Sequence, residues 1–222
     1  MGKSICIVSG GMDSATALAL AIERGAEVVG AHFDYLQRTE RKERECFEAL
    51  CDHYRIDRRF VIDLRFFGAI GASALTDRTI AVPNDFGSGV PITYVPFRNG
   101  IFLSVAGAIA EKEGADEIVI GAVQEDSSGY PDCREVFLRS MQEAIAHGTK
   151  ETTNISINAP LIHLTKAQIV SEALRLGVPL ELTWSCYQNE VKACGVCESC
   201  RLRLKGFALA GASDPIEYER AR

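Results

Sequence analysis

Ser4-Ile5-Cys6-Ile7-Val8-Ser9-Gly10-Gly11-Met12-Asp13-Ser14 passes from an unbroken apolar run, through two glycines, into an amphipathic stretch that continues to Arg24. A short run of that kind, rich in β-branched residues and without alternation, suits a strand buried on both faces. The glycines permit a tight turn that exposes successive backbone N–H groups. The helix beyond it adds the positive end of its dipole, so the turn is an anion nest. Ser9 and Ser14 supply further hydroxyl donors. A Walker A loop would need G-x-x-x-x-G-K-[ST] and a dinucleotide fold G-x-G-x-x-G; the segment satisfies neither. The plainer alternative is a glycine turn in which Asp13 or Ser14 caps the helix.

The same strand-then-helix alternation continues outward. Strands are predicted at Glu27 to Phe33, Arg59 to Asp63, Glu117 to Gly121 and Ile155 to Asn158, and helices at Glu40 to Tyr54, Ile101 to Glu113, Cys133 to His147 and Lys166 to Leu176. Repeated units with near-continuous apolar strands imply an α/β fold: a parallel sheet of five strands covered on both faces, with ligands at the carboxyl ends near the topological switch point. Gly68 to Asn99 shows no period and carries Pro83, Pro91 and Pro96; a loop of that length in a compact domain usually serves function.

At 222 residues the chain suits one large domain or one domain with a small appendage. The expected division is residues 1–183 and a cysteine-rich region 184–222. Hydrophobic residues at 47% and charged residues at 24% exclude disordered, collagen-like and membrane-spanning classes. The apolar part of the N-terminus is too short for a signal peptide, so a cytoplasmic protein is expected. A net charge of -6 argues against a chain whose main task is to hold nucleic acid. Of eight cysteines, Cys186, Cys194, Cys197 and Cys200 form C-x7-C-x2-C-x2-C. Four thiolates that close suit a metal: a closed tetrahedral Zn2+ site, or an iron-sulfur cluster, which the spacing also fits. A redox dithiol would need only two.

S-G-G-x-D-S after an N-terminal strand resembles the PP-loop of ATP pyrophosphatases, which split ATP between its α and β phosphates. Along nearly the whole chain the resemblance narrows to the 7-cyano-7-deazaguanine synthase (QueC) family. It is carried by Asp34-Tyr35-Leu36-Gln37-Arg38, Ser73-Ala74-Leu75-Thr76, Val95-Pro96-Phe97-Arg98-Asn99, Ser128-Gly129-Tyr130-Pro131-Asp132-Cys133-Arg134, Leu164-Thr165-Lys166, Trp184-Ser185-Cys186-Tyr187 and the cysteine cluster. Leu36 and Thr39 depart from the family pattern. The resemblance implies a Rossmann-like PP-loop domain with a small zinc-binding appendage. It implies an enzyme that takes 7-carboxy-7-deazaguanine, ammonia and ATP to 7-cyano-7-deazaguanine, with Mg2+ accompanying ATP, structural Zn2+ and a homodimeric assembly. Neither a nucleic acid nor a membrane is expected as partner.

The expected roles follow. Ser9, Gly10, Gly11, Met12, Asp13 and Ser14 hold the pyrophosphate portion, Asp13 either positioning the loop or helping with Mg2+. Lys166 can reach the same phosphates, though a lysine there is also an ordinary exposed helix residue. Arg98 meets a phosphate or the substrate carboxylate through its planar fork, while Asn99 is either a ligand or the N-cap of its helix. Gln37 and Arg38 are nucleotide contacts, whereas Arg41 to Glu45 read as a solvated helix face. Tyr130, Asp132 and Arg134 are substrate candidates: Tyr130 to stack on a purine-like ring, Asp132 to accept guanine-edge N–H groups or to cap the following helix. Cys133 reads as a packed thiol, and His32, His53, His147 and His163 show no ligand spacing. The rival readings are another PP-loop adenylating enzyme, such as a tRNA thiolase, and a non-catalytic nucleotide-binding protein.

Overall fold

The computed structural model describes residues 2–83, 89–124 and 129–219. Ser128 therefore lies outside the described residues, as does part of the stretch from Gly68 to Asn99. Strands β1 (Lys3–Ile7), β2 (Glu27–Asp34), β3 (Arg59–Asp63), β4 (Glu117–Ile120) and β5 (Ser156–Asn158) form one sheet in the order β3-β2-β1-β4-β5. Every neighbouring pair is parallel, with Cys6 of β1 opposite Gly30 on one side and Val119 on the other. The expected five-stranded parallel sheet is what the chain forms.

The period of two along β1 divides the core. Ile5 and Ile7 join Val29, Phe33, Leu103, Ala106 and Ile118 on one face; Cys6 and Val8 join Leu18, Phe47, Leu50, Ile169 and Phe207 on the other. The first layer is built with helices α4 (Arg98–Glu113) and α5 (Glu135–Gly148), the second with α1 (Met12–Glu23), α2 (Glu40–His53), α6 (Lys166–Arg175) and α7 (Glu198–Leu209); the short α3 is Phe67–Ile70. Because β1 leads through α1 to β2 on one side, while β3 leads through α4 to β4 on the other, the order reverses at the β1/β4 pair. A crevice opens there, beyond the carboxyl ends of both strands. No helix among the described residues is long and apolar enough to cross a membrane.

Four boundaries differ from expectation. Helix α1 begins at Met12, its N-cap Gly11 has no side-chain cap, and the Ser14 hydroxyl donates to Gly11 O at 3.0 Å. Neither Asp13 nor Ser14 is thus the cap. Helix α4 begins at Arg98, after Phe97 in the left-handed region (φ 55°), so Asn99 lies in its first turn and is not its N-cap. Pro131–Cys133 is a separate 3-10 turn, and α5 starts at Glu135. Glu198–Leu209, for which the sequence reading gave no helix within the cysteine-rich region, is a helix packed on α6 that puts Phe207 into the core.

Helix α6 has a complete capping box: the Thr165 hydroxyl accepts the Gln168 N–H, and the Gln168 carbonyl accepts the Thr165 N–H at 2.8 Å. Two orphan donors are satisfied, and Lys166 is fixed as the first helical residue. Thr165→Ala is expected to reduce stability by about 1 kcal/mol, measurable as a shift in the urea midpoint at unchanged slope.

Candidate active site

The turn after β1 can be tight because Gly10 sits at φ 82°, and a Cβ there would come within 2.5 Å of Glu43 O. The Ser14 hydroxyl accepts the Ser9 N–H at 3.2 Å and lies 3.1 Å from the Ser9 hydroxyl, which accepts the Gly11 N–H at 3.3 Å. From the opposite side the Trp184 N–H donates to Gly10 O at 2.8 Å, fastening the C-terminal region to the turn. Gly121, at the exit of β4, lets the helix end approach closely: a Cβ there would stand 2.8 Å from Ser14 N. The first turn of α1 is thereby aimed into the crevice.

A cavity of about 270 Å³ fills this crevice, lined by Ser9, Gly11, Met12, Asp13 and Ser14 on one side. Lys166 reaches across it, its ammonium donating to Asp13 Oδ2 at 2.7 Å. The other oxygen, Asp13 Oδ1, is buried and has no hydrogen-bond partner among the described residues. The donor set fits a cation: a carboxylate with one oxygen spare, beside a loop shaped for phosphates, is where Mg2+ accompanying a nucleotide could be held.

The opposite wall is aromatic and carries Arg98, Phe33, Tyr35, Phe102, Tyr130 and Tyr187. Arg98 donates to the Tyr35 hydroxyl at 3.0 Å and lies over the rings of Tyr35, Phe102 and Tyr130. It forms no ion pair among the described residues, and burial pushes the Tyr35 hydroxyl up to about 12. Glu43 also lines this wall, its carboxylate accepting from the Thr39 hydroxyl at 2.8 Å and from the Gln37 amide at 3.2 Å. Burial raises its pKa above the usual carboxylate value, an effect those two hydrogen bonds and the charges of His32 and Arg98 oppose.

The structure thus gathers Ser9, Gly11, Met12, Asp13, Ser14, Arg98, Tyr130 and Lys166 around one cavity, with Gly10 shaping the turn. Other candidates are engaged elsewhere. Leu36 lies in the left-handed region at φ 64°. Gln37 then accepts the Tyr35 N–H and is buried behind the cavity wall, where it donates to Glu43, while Arg38 donates to the carbonyls of Ala74, Asp77 and Ile80 and holds a loop. Asp132 is buried and accepts the Asn99 N–H at 2.9 Å, while the Asn99 amide donates to Asp132 O. It serves the start of α4 and does not cap α5. Arg134 is exposed and donates to Pro131 O.

Glu43 escaped the sequence reading because charged neighbours suggested a solvated face. Its spacing held the opposite signal: it lies three and four residues before Cys46 and Phe47, which are buried, and therefore shares their side of the helix. Tyr35 stands inside a quoted motif but went unassigned. Tyr187, Ser185 and Arg203 are brought to the cavity by the C-terminal region.

The four cysteine sulfurs lie within 4.8 Å of one another, with Cys194 and Cys200 at 4.0 Å. A tetrahedron of thiolates at about 2.3 Å from a central ion has sulfurs about 3.8 Å apart, so the set closes readily on one metal ion. Backbone N–H groups of Gln188, Asn189 and Cys194 point at Cys186 Sγ and that of Cys197 at Cys194 Sγ, at 3.3–3.4 Å. Such donors favour the thiolate form that a metal requires. Arg203, 1% exposed, pairs with Asp214 and donates to Thr183 and Leu180, locking α7 to the segment that leads into Trp184 and Cys186.

A family model described as "Queuosine biosynthesis protein QueC" matches residues 3–211. The chain is 61% identical to a 7-cyano-7-deazaguanine synthase of Sulfurimonas denitrificans, over 97% of each chain. It is 58% identical to one of Nautilia profundicola, over 99% of this chain and all of the relative. Among solved structures it resembles a 4-thiouridine synthetase in complex with RNA and ATP (TM-score 0.54, 20% identity), covering 95% of this chain but about half (50%) of that one. It also resembles the U34-tRNA thiolase NcsA of Methanococcus maripaludis with its [4Fe-4S] cluster (TM-score 0.51, 15% identity, 92% and 64% of the two chains). At such identities these two likenesses concern the fold.

Proposed function

Because the chain belongs to the QueC family of queuosine biosynthesis proteins, we propose that it is a ligase converting 7-carboxy-7-deazaguanine, ammonia and ATP into 7-cyano-7-deazaguanine. The observation that carries this is one cavity with two chemistries. A helix N-terminus with Lys166 suits the phosphates of ATP, and Arg98, without an ion pair among the described residues, suits a substrate carboxylate beside them. A carboxylate resists ammonia because it is anionic and would have to expel a very poor leaving group. Transfer of AMP to it removes both obstacles, and ammonia then gives an amide. A second adenylation, on the amide oxygen, makes that oxygen leave with AMP as the nitrile forms. One activation used twice needs only one site.

In this reading the N–H groups of the turn and of α1 hold the pyrophosphate portion, with the Ser9 and Ser14 hydroxyls beside them. Lys166 follows the charge that develops as pyrophosphate departs. Mg2+ bound with ATP would neutralise phosphate charge, and Asp13 is the residue to hold it. Tyr130 offers the ring on which the deazapurine stacks. The cysteine cluster is read as a closed structural Zn2+ site within the appendage 184–222. A cubane cluster, whose thiolates bind irons at separate corners, needs wider sulfur spacing than these four show.

Ammonia is taken free in this account. Hydrolysing glutamine requires an activated nucleophile, but burial pushes the thiols of Cys46 and Cys133 up to about 11 and that of Cys51 up to about 12, and Cys6 further. All four are protonated near neutrality. Purified protein given 7-carboxy-7-deazaguanine, ATP and Mg2+ should release pyrophosphate only with the deazaguanine present and form nitrile only with ammonium. Pyrophosphate release indifferent to the deazaguanine, or equal turnover with glutamine, would refute it.

A further inference from the structure

The reaction proposed above makes a demand that the phosphate loop does not meet. Ammonia enters with three N–H bonds and the nitrile nitrogen leaves with none, so protons must be taken from the same nitrogen repeatedly, beside the reacting carbon. Among the described residues lining the cavity, only Asp13 and Glu43 are carboxylates, and none is a histidine. Asp13 is held by Lys166 at 2.7 Å and belongs to the phosphate end. Cys133, also in the lining, keeps its proton because burial pushes its thiol up to about 11. Glu43 remains. The Thr39 and Gln37 donors fix both of its oxygens in place, and it shares the aromatic wall with Arg98, where the substrate carboxylate is read to lie.

We infer that Glu43 is the catalytic base that removes protons from the ammonia-derived nitrogen; the inference rests on the synthase reading. When ammonia adds to the acyl adenylate, the nitrogen lone pair forms the C–N bond and the carbonyl pair moves to oxygen. The cationic nitrogen gives one proton to Glu43. The oxygen pair then returns, and the bond to the phosphate oxygen breaks, with AMP leaving as the anion. In the second round the amide oxygen takes the α-phosphoryl group, and pyrophosphate departs. The O-adenylated amide gives one of its two N–H protons to Glu43, which discharges it to solvent and then takes the second; the electron pair of that last N–H bond completes the nitrile as the C–O bond breaks and AMP leaves as the anion.

The surroundings suit a base. The titratable groups facing Glu43 are His32 on β2, Tyr35 beyond its end, Arg98 on α4 and Cys46 on its own helix. His32 is 1% exposed, outside the cavity lining, and bonded through Nδ1 to Val8 O. Burial raises the proton affinity of Glu43 above that of an ordinary carboxylate, which brings it nearer the working range of a general base.

The experiment separates activation from nitrogen capture in Glu43→Gln, which keeps shape and volume. Exchange of labelled pyrophosphate into ATP, dependent on 7-carboxy-7-deazaguanine, should stay within a few-fold of the unaltered protein, and this also shows that the variant is folded. Amide and nitrile formation from ammonia should fall about 100- to 10,000-fold, the usual contribution of such a base. Hydroxylamine, whose adduct is acidic enough to lose its proton to water, should still be captured as the hydroxamate within about tenfold. Glu43→Asp, which keeps a carboxylate, should recover part of the ammonia reaction. Ammonia turnover unchanged in Glu43→Gln would overturn the inference, as would exchange, ammonia turnover and hydroxamate formation all falling together. Absence of exchange in the unaltered protein would instead defeat the synthase reading itself.

Discussion

Lys166→Met is expected to lower pyrophosphate release by about 100- to 1,000-fold, the usual effect of removing one preorganised donor from developing charge. The ammonium lies 2.7 Å from Asp13 Oδ2 and only 15% of the side chain is exposed, so the charge is held in place before that of the leaving pyrophosphate develops. The single variant also leaves Asp13 without its cation, which lowers stability. Asp13→Asn/Lys166→Met removes both charges and separates the two effects. Thermal stability should return toward that of the unaltered protein, while pyrophosphate release stays as low as in the poorer single variant. Restored activity in the double variant would mean that the pair is only structural. Near-normal release in Asp13→Asn and Ser14→Ala would likewise remove those side chains from phosphate and metal binding.

The second large effect is expected at the cysteine cluster. The unaltered protein should carry one zinc per chain and Cys200→Ser less than a tenth of that, because a serine hydroxyl is a poor substitute for a thiolate. Structural zinc in small peptides contributes on the order of 10 to 16 kcal/mol; here the sheet has its own core, so the loss should be local. Hydrogen exchange should show amides of 184–200 losing protection while those of β1, β2 and β4 keep theirs. The Trp184 N–H bond to Gly10 O carries the loss into the phosphate turn, so the Michaelis constant for ATP should rise along with it. Iron with inorganic sulfide, or full activity without metal, would contradict this account.

Much of the fold was legible because its signals are local. β1 is an apolar run with glycines after it, and its burial on both faces follows from that pattern. The cysteine cluster was legible for the same reason, its four members falling within fifteen residues of one another. What escaped depends on distant partners or unusual backbone. Asn99 looked like an N-cap, but its backbone is met by Asp132, 33 residues away. The start of α4 is set by Phe97 at φ 55°, a conformation that side-chain preferences do not announce. Gln37 and Arg38 follow a strand that points at the site, yet Gln37 is engaged by the Tyr35 N–H and Glu43, and Arg38 by the carbonyls of Ala74, Asp77 and Ile80. Glu43 was hidden by the charge of its neighbours, although its spacing to Cys46 and Phe47 placed it on the buried side.

The account stands most directly on what becomes of the carboxylate. Purified protein should be given 7-carboxy-7-deazaguanine, ATP, Mg2+ and ¹⁵N-ammonium, with the product weighed by mass spectrometry and pyrophosphate counted. The prediction is a nitrile carrying one ¹⁵N, with two pyrophosphates released for each nitrile formed. A product that stops at the amide with one pyrophosphate, or unchanged 7-carboxy-7-deazaguanine beside pyrophosphate release that depends on a tRNA, would contradict it.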